Sequence, residues 1–128
     1  MKDKIVKEWF ERGKRDFESA KLIYTQKGYL DEVIFLVHQA IEKYLKGYLI
    51  FHGWKLKRIH DIETLLVEAS GYNKTFMKFL DLGRKLTVFY YENRYPPGFP
   101  PEISEGEVEE ILREAEKVIG LIKKETEL

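Results

Sequence analysis

The chain has no cysteine. That excludes disulfides, thiol catalysis and cysteine-based zinc sites, and it suits the reducing cytosol. Proline is scarce, with 4 in the whole sequence, and all of them fall in the run Pro96-Pro97-Gly98-Phe99-Pro100-Pro101. Net charge is absent, because 22 Lys and Arg offset 22 Asp and Glu. No global basic field therefore draws nucleic acid, although local patches remain open. No apolar run approaches the roughly 18 residues that a membrane span needs. The start, Met1-Lys2-Asp3-Lys4, leads into a charged amphipathic segment with no signal-peptide core. Nor is there a stretch of convincing length that alternates apolar and polar residues as a half-buried strand does. Asn, Gln and Met are few beside Lys and Glu, which leans toward a thermophilic source. The expectation is one domain over 1–128, cytoplasmic and without a membrane segment.

What is present is apolar and helical. Hydrophobic residues make up 44% of the 128 residues and aromatics 14%, enough for a single core and too much for a disordered chain. Five segments carry helical periodicity. The first runs from about Asp3 to Thr25 with Ile5, Trp9, Phe17, Ala20 and Tyr24 on one face, and Gly28 is its breaker. The second, about Tyr29 to His52, stops at Gly53. A short third, about Asp61 to Ser70, turns Ile62, Leu65, Leu66 and Ala69 inward, with Asp61 or His60 as its cap. The fourth starts near the N-cap Asn73, carries Phe76, Phe79, Leu80, Leu86 and Tyr90, and ends by Asn93 to Tyr95, because Pro96 disfavours helix in the residue before it. The fifth opens on the capping box Ser104/Glu107 and repeats Val108, Ile111, Leu112, Ala115, Val118, Ile119 and Ile122. The fold class is all-α: an antiparallel up-and-down four-helix bundle with an additional short helix.

The second segment holds a contradiction. Val33, Leu36, Val37, Ala40, Tyr44, Gly47, Tyr48 and Phe51 form a wide apolar face, and Ile34, Leu45 and Leu49 extend it to the far side. Such a helix is central, or it is buried at a subunit contact. Yet Gln39, Glu42, Lys43 and Lys46 share a narrow polar strip on it, and charge beside a buried surface is costly unless paired or used. Glu42 and Lys46, spaced i,i+4, form an ordinary exposed pair on the plain reading. On the functional reading the strip lines a groove where lysines meet phosphate and Gln39 meets a base or ribose.

The other polar candidates also carry two readings. His38, beside Leu45 and Leu49 on the wheel, is a candidate interface residue. His52 sits at a helix C-terminus, where the helix dipole favours a protonated ring. Arg94, in Arg94-Tyr95-Pro96, either bonds terminal carbonyls or, with a tyrosine, takes phosphate and a base. The loop with Lys55, Lys57, Arg58 and His60 is the densest basic run: a solvated loop or a phosphate contact. No phosphate-cradling glycine loop, nucleophile elbow or metal-ligand spacing is present. No metal and no cofactor are expected.

The run His38-Gln39-Ala40-Ile41-Glu42-Lys43-Tyr44-Leu45-Lys46-Gly47 resembles the signature Gln-Gln-Ala-x-Glu-Lys-x-Leu-Lys-Ala of the HEPN family, with His38 and Gly47 as departures. Trp9, Asp16-Phe17, Ser19-Ala20 and Gly28-Tyr29 resemble the same family upstream. His60-Asp61 before Leu65-Leu66 is similar to its His-Asp-Leu motif, with Ile62 for Leu, and Arg94-Tyr95-Pro96 to its Arg-Tyr-Pro ending. The resemblance implies a helical bundle, commonly a homodimer, similar to the substrate-binding domain of certain nucleotidyltransferases. It implies binding of a nucleotide of the ATP or GTP class, by Gln39, Glu42, Lys43, Lys46, His60 and Arg94. It also implies work beside a small nucleotidyltransferase, often as a toxin–antitoxin pair. A second branch of the family cleaves RNA with an Arg, four to six residues, then a His. None of Arg12, Arg15, Arg58, Arg84, Arg94 and Arg113 has a His at that spacing. The expectation therefore leans away from an enzyme, with RNA a less favoured partner. The alternatives are a metal-independent ribonuclease using His60 with Lys55 or Arg58, and a non-catalytic dimerisation scaffold.

Overall fold

The computed structural model describes residues 2–92 and 103–128, with backbone alone at 91 and 92. The helices are α1 (Lys2–Thr25), α2 (Leu30–Phe51), α3 (Ile62–Ser70), α4 (Leu80–Glu92) and α5 (Glu105–Thr126), with a 3₁₀ segment (Lys74–Phe79) leading into α4. Among the described residues there is no strand, and no helix is long and apolar enough to cross a membrane.

Helix direction follows from side-chain pairings. On α1 and α2, a Cβ at Gly13 would meet Tyr44 and one at Gly47 would meet Phe10, so the two helices run antiparallel. Tyr90, late in α4, stacks on Phe35 and His38, early in α2, so α4 is antiparallel to α2. Tyr24, at the end of α1, donates to Glu109, at the start of α5. The chain thus goes up and down through α1, α2, α4 and α5, with α3 as the extra short helix. At the centre lies α2, in contact with α1, α3, α4 and α5. Val33, Ile34, Val37, Ala40, Ile41, Tyr44, Leu45, Tyr48 and Leu49 are all buried on it. Leu45 and Leu49 are 0% exposed within a single protomer, so of the two arrangements open to this helix the central one holds: the chain's own helices cover them.

Local chemistry sets the boundaries. Ser104 and Glu107 form the capping box of α5, and Asn73 caps the 3₁₀ segment by accepting from the Thr75 amide. Asp61, not His60, caps α3, accepting from the Glu63 amide and the Thr64 hydroxyl. The Thr87 hydroxyl also donates to Asp61, at 3.3 Å, tying this cap to α4. At the end of α1 the left-handed residue is Lys27 (φ 59°), not Gly28. The Gly28 amide bonds the Ile23 carbonyl and the Lys27 amide bonds that of Tyr24, a Schellman ending. Gly28 is required for another reason: a Cβ there would lie 2.6 Å from the Ile23 side chain. The expected inward face of α1 holds at Phe17 and Ala20, with Trp9 and Tyr24 partly buried, and differs at its start. Val6, Gly13, Phe17 and Ala20 are buried, while Ile5 is exposed.

Candidate functional site

The polar strip of α2 divides into two groups. Glu42 and Lys46 turn inward, at 6% and 4% exposure. The Lys46 ammonium donates to Glu42 Oε2 at 2.9 Å. The pair expected by spacing therefore forms, but in the interior rather than on an exposed face. His60 Nδ1 lies 3.0 Å from the same Oε2, and His38 Nδ1 lies 3.8 Å from Oε1. One buried carboxylate thus gathers a lysine and two histidines. The Trp9 ring, from α1, lies over the Lys46 ammonium at 6.0 Å, so an aromatic face adds to its stabilisation.

His38 is fully buried rather than at an interface. Its ring stacks on Tyr90 at 4.0 Å and 10°, and among the described residues neither ring nitrogen makes a hydrogen bond of full geometry, the His60 backbone being the one group that approaches as a partner. Burial pushes its pKa down to about 4; the Glu42 carboxylate pulls it up and the His60 ring opposes charge there. His38 is therefore neutral at pH 7. His52 ends α2 and stacks on Tyr72 at 4.1 Å. Burial lowers its pKa as well, against the rise that a helix C-terminus favours.

The second group faces outward across the α1–α2 seam. The Lys43 ammonium donates to Asp16 of α1, and the two side chains are 26% and 21% exposed. Lys43 also borders two adjoining hollows. One, of about 390 Å³, is lined by Glu8, Trp9, Arg12 and Lys43. The other, of about 230 Å³, is lined by Arg12, Arg15, Asp16, Ser19 and Lys43. Two contacts let the seam close this tightly. A Cβ at Gly13 would sit 2.8 Å from the Tyr44 ring, and one at Gly47 would sit 2.7 Å from Phe10 and 3.1 Å from Trp9 Cβ. Gly47, where the resembling signature has alanine, is the space into which Trp9 and Phe10 fit.

The structure therefore brings Glu42, Lys46 and His60 together and sends Lys43 to a different surface. Gln39 is half-buried on α2 and lines neither hollow. Arg94, Tyr95 and Pro96 lie outside the described residues. Lys55, Lys57 and Arg58 are exposed, with Lys57 over the Trp54 ring at 5.8 Å. Arg12 and Arg15 were not among the expected site residues. The available signal was the stripe Trp9, Arg12, Asp16 and Ser19, spaced by three and four residues along one face of α1.

An up-and-down bundle with a buried His-Glu-Lys cluster and a cationic helix seam defines a class of small helical domains. The sequence matches the HEPN domain family over residues 6–125, and the chain belongs to that family. It is similar to a crystallised archaeal HEPN homologue at 27% identity and a TM-score of 0.75, covering 94% of this chain and 97% of that one. A crystallised protein of Thermus thermophilus shares the fold at 21% identity and a TM-score of 0.72, covering 93% and 96%. Among curated proteins none matches.

Proposed function

We propose that this HEPN domain binds a nucleotide of the ATP or GTP class. In this reading it works as a homodimer and is the helical substrate-binding, or toxin-type, partner of a small nucleotidyltransferase. The observation that carries it is the α1–α2 seam, where Trp9, Arg12 and Lys43, with Glu8 beside them, line one hollow of about 390 Å³. A tryptophan face takes a base by stacking, and two cations from two helices take phosphate oxygens. Family resemblance supports the partner, which supplies the chemistry and its own metal. Calorimetric titration with ATP and GTP tests the reading. Saturable binding, weakened about tenfold or more by Lys43→Ala and by Arg12→Ala, is expected, since a charge-assisted hydrogen bond contributes about 1.5–3 kcal/mol. No binding by the folded wild-type protein overturns it.

One observation favours a second reading, a metal-independent ribonuclease. Glu42 holds His60 by Nδ1, while the His60 side chain is 55% exposed, leaving the other ring nitrogen for a substrate proton. RNA cleavage that survives EDTA and vanishes in His60→Ala supports it; cleavage unchanged by that substitution removes it.

A further inference from the structure

We propose that the hollow of Arg12, Arg15, Ser19 and Lys43 is a polyphosphate subsite, and that Asp16 occupies it as an internal stand-in for a phosphate. This rests on the nucleotide reading above and adds its charge selectivity and its built-in competitor. Three cations face a single carboxylate across a space of about 230 Å³. Asp16 engages Lys43 alone, and among the described residues Arg12 and Arg15 enter no ion pair. Two exposed guanidinium groups on one face of α1 thus border the same hollow as a neutralised lysine, with Ser19 completing the lining. An incoming phosphate oxygen competes with the Asp16 carboxylate for the Lys43 ammonium, and a like charge placed beside Asp16 is repelled. A monophosphate exchanges one anion for another at Lys43 and gains little. A triphosphate also reaches Arg12 and Arg15 and gains two cations for the same displacement. Asp16 therefore keeps the site closed to weakly charged anions.

The prediction is a gain of binding, which a folding defect does not mimic. Asp16→Asn keeps the shape and leaves Lys43 partly exposed, where an ion pair contributes little to stability. In calorimetric titrations ATP is expected to bind Asp16→Asn about tenfold more tightly than wild type. AMP is expected to tighten as well, because the same displacement is removed for both ligands, and ATP by at least as much, because it carries more charge past Asp16. Asp16→Ala should tighten ATP binding as well, and Arg15→Ala should weaken ATP more than AMP. If Lys43→Ala abolishes ATP binding while Asp16→Asn leaves it unchanged or weaker, Asp16 is no competitor: the inference falls and the nucleotide reading stands. If neither wild type nor Asp16→Asn binds ATP, both fall.

Discussion

At the scale of single residues, neighbours decide what each polar group is. His38 and His60 face opposite oxygens of the Glu42 carboxylate, yet one ring is sealed in and the other is half in solvent. The sealed ring makes stability depend on pH. As pH falls, the unfolded chain takes up a proton at His38 near the ordinary value of 6.5, whereas the folded chain takes it up only near about 4. The folded-state pKa is lowered, so stability is fully present above about 6.5 and is lost as pH falls toward about 4. The steepest loss is about 1.4 kcal/mol per pH unit. His38→Phe keeps the stack on Tyr90 and removes the proton. Urea unfolding at pH 7 and at pH 4.5 should show the wild type losing about 2 kcal/mol more than His38→Phe between the two. Equal losses in both proteins would mean that His38 is charged in the fold. Part of the site was legible at this scale: Lys43 does border a hollow, and Glu42 and Lys46 do pair. The α1 stripe that carries Arg12 was readable, but its meeting with Lys43 was not, because the two join only when α1 folds onto α2, across a separation of 27 residues from Asp16 to Lys43.

At the scale of elements, spacing and caps were readable because they are local. Ser104, Asn73 and Asp61 cap where their side chains accept from amides two or three residues on, and Glu107 accepts back from the Ser104 amide. The first inward residue of α1 was not readable, because Ile5 and Val6 are both apolar and only contact with α2 chooses between them. Glycines mark that contact. At Gly13 a Cβ would meet the Tyr44 ring at 2.8 Å and the Ala40 carbonyl at 3.2 Å, while at Gly120 of α5 nothing lies within 4 Å. Alanine is better than glycine in a helix interior by up to about 1 kcal/mol. Overpacking costs about 1–3 kcal/mol, and the Ala40 carbonyl, being backbone, cannot turn aside. Gly13→Ala is therefore expected to lower the melting temperature and Gly120→Ala to raise it, each by a few degrees, about 4 °C per kcal/mol. Thermal unfolding followed by far-UV circular dichroism checks both, and a rise in Gly13→Ala would show that the α1–α2 seam is looser than the contacts described.

At the scale of the whole molecule, the bundle solves the problem posed by a helix that is apolar nearly all round. Two arrangements satisfy such a helix: burial by its own chain, or burial against a second copy. Periodicity does not separate them, because each supplies an apolar neighbour. Here α1, α3, α4 and α5 close around α2, and Leu45 and Leu49 are both 0% exposed before any partner is added. The proposed homodimer therefore uses another surface, and a charge on α2 acts on the protomer. Leu45→Glu would bury a carboxylate among apolar side chains, with an expected cost of about 4 kcal/mol or more, a large share of the stability of a domain this size. The expected result is loss of the helical circular dichroism signal, or a urea midpoint so low that the native state is barely populated. Sedimentation equilibrium on the same sample separates the alternatives. Should Leu45→Glu keep its full helical signal and change only from dimer mass to monomer mass, α2 would lie at the subunit contact and the enclosure described for it would be wrong.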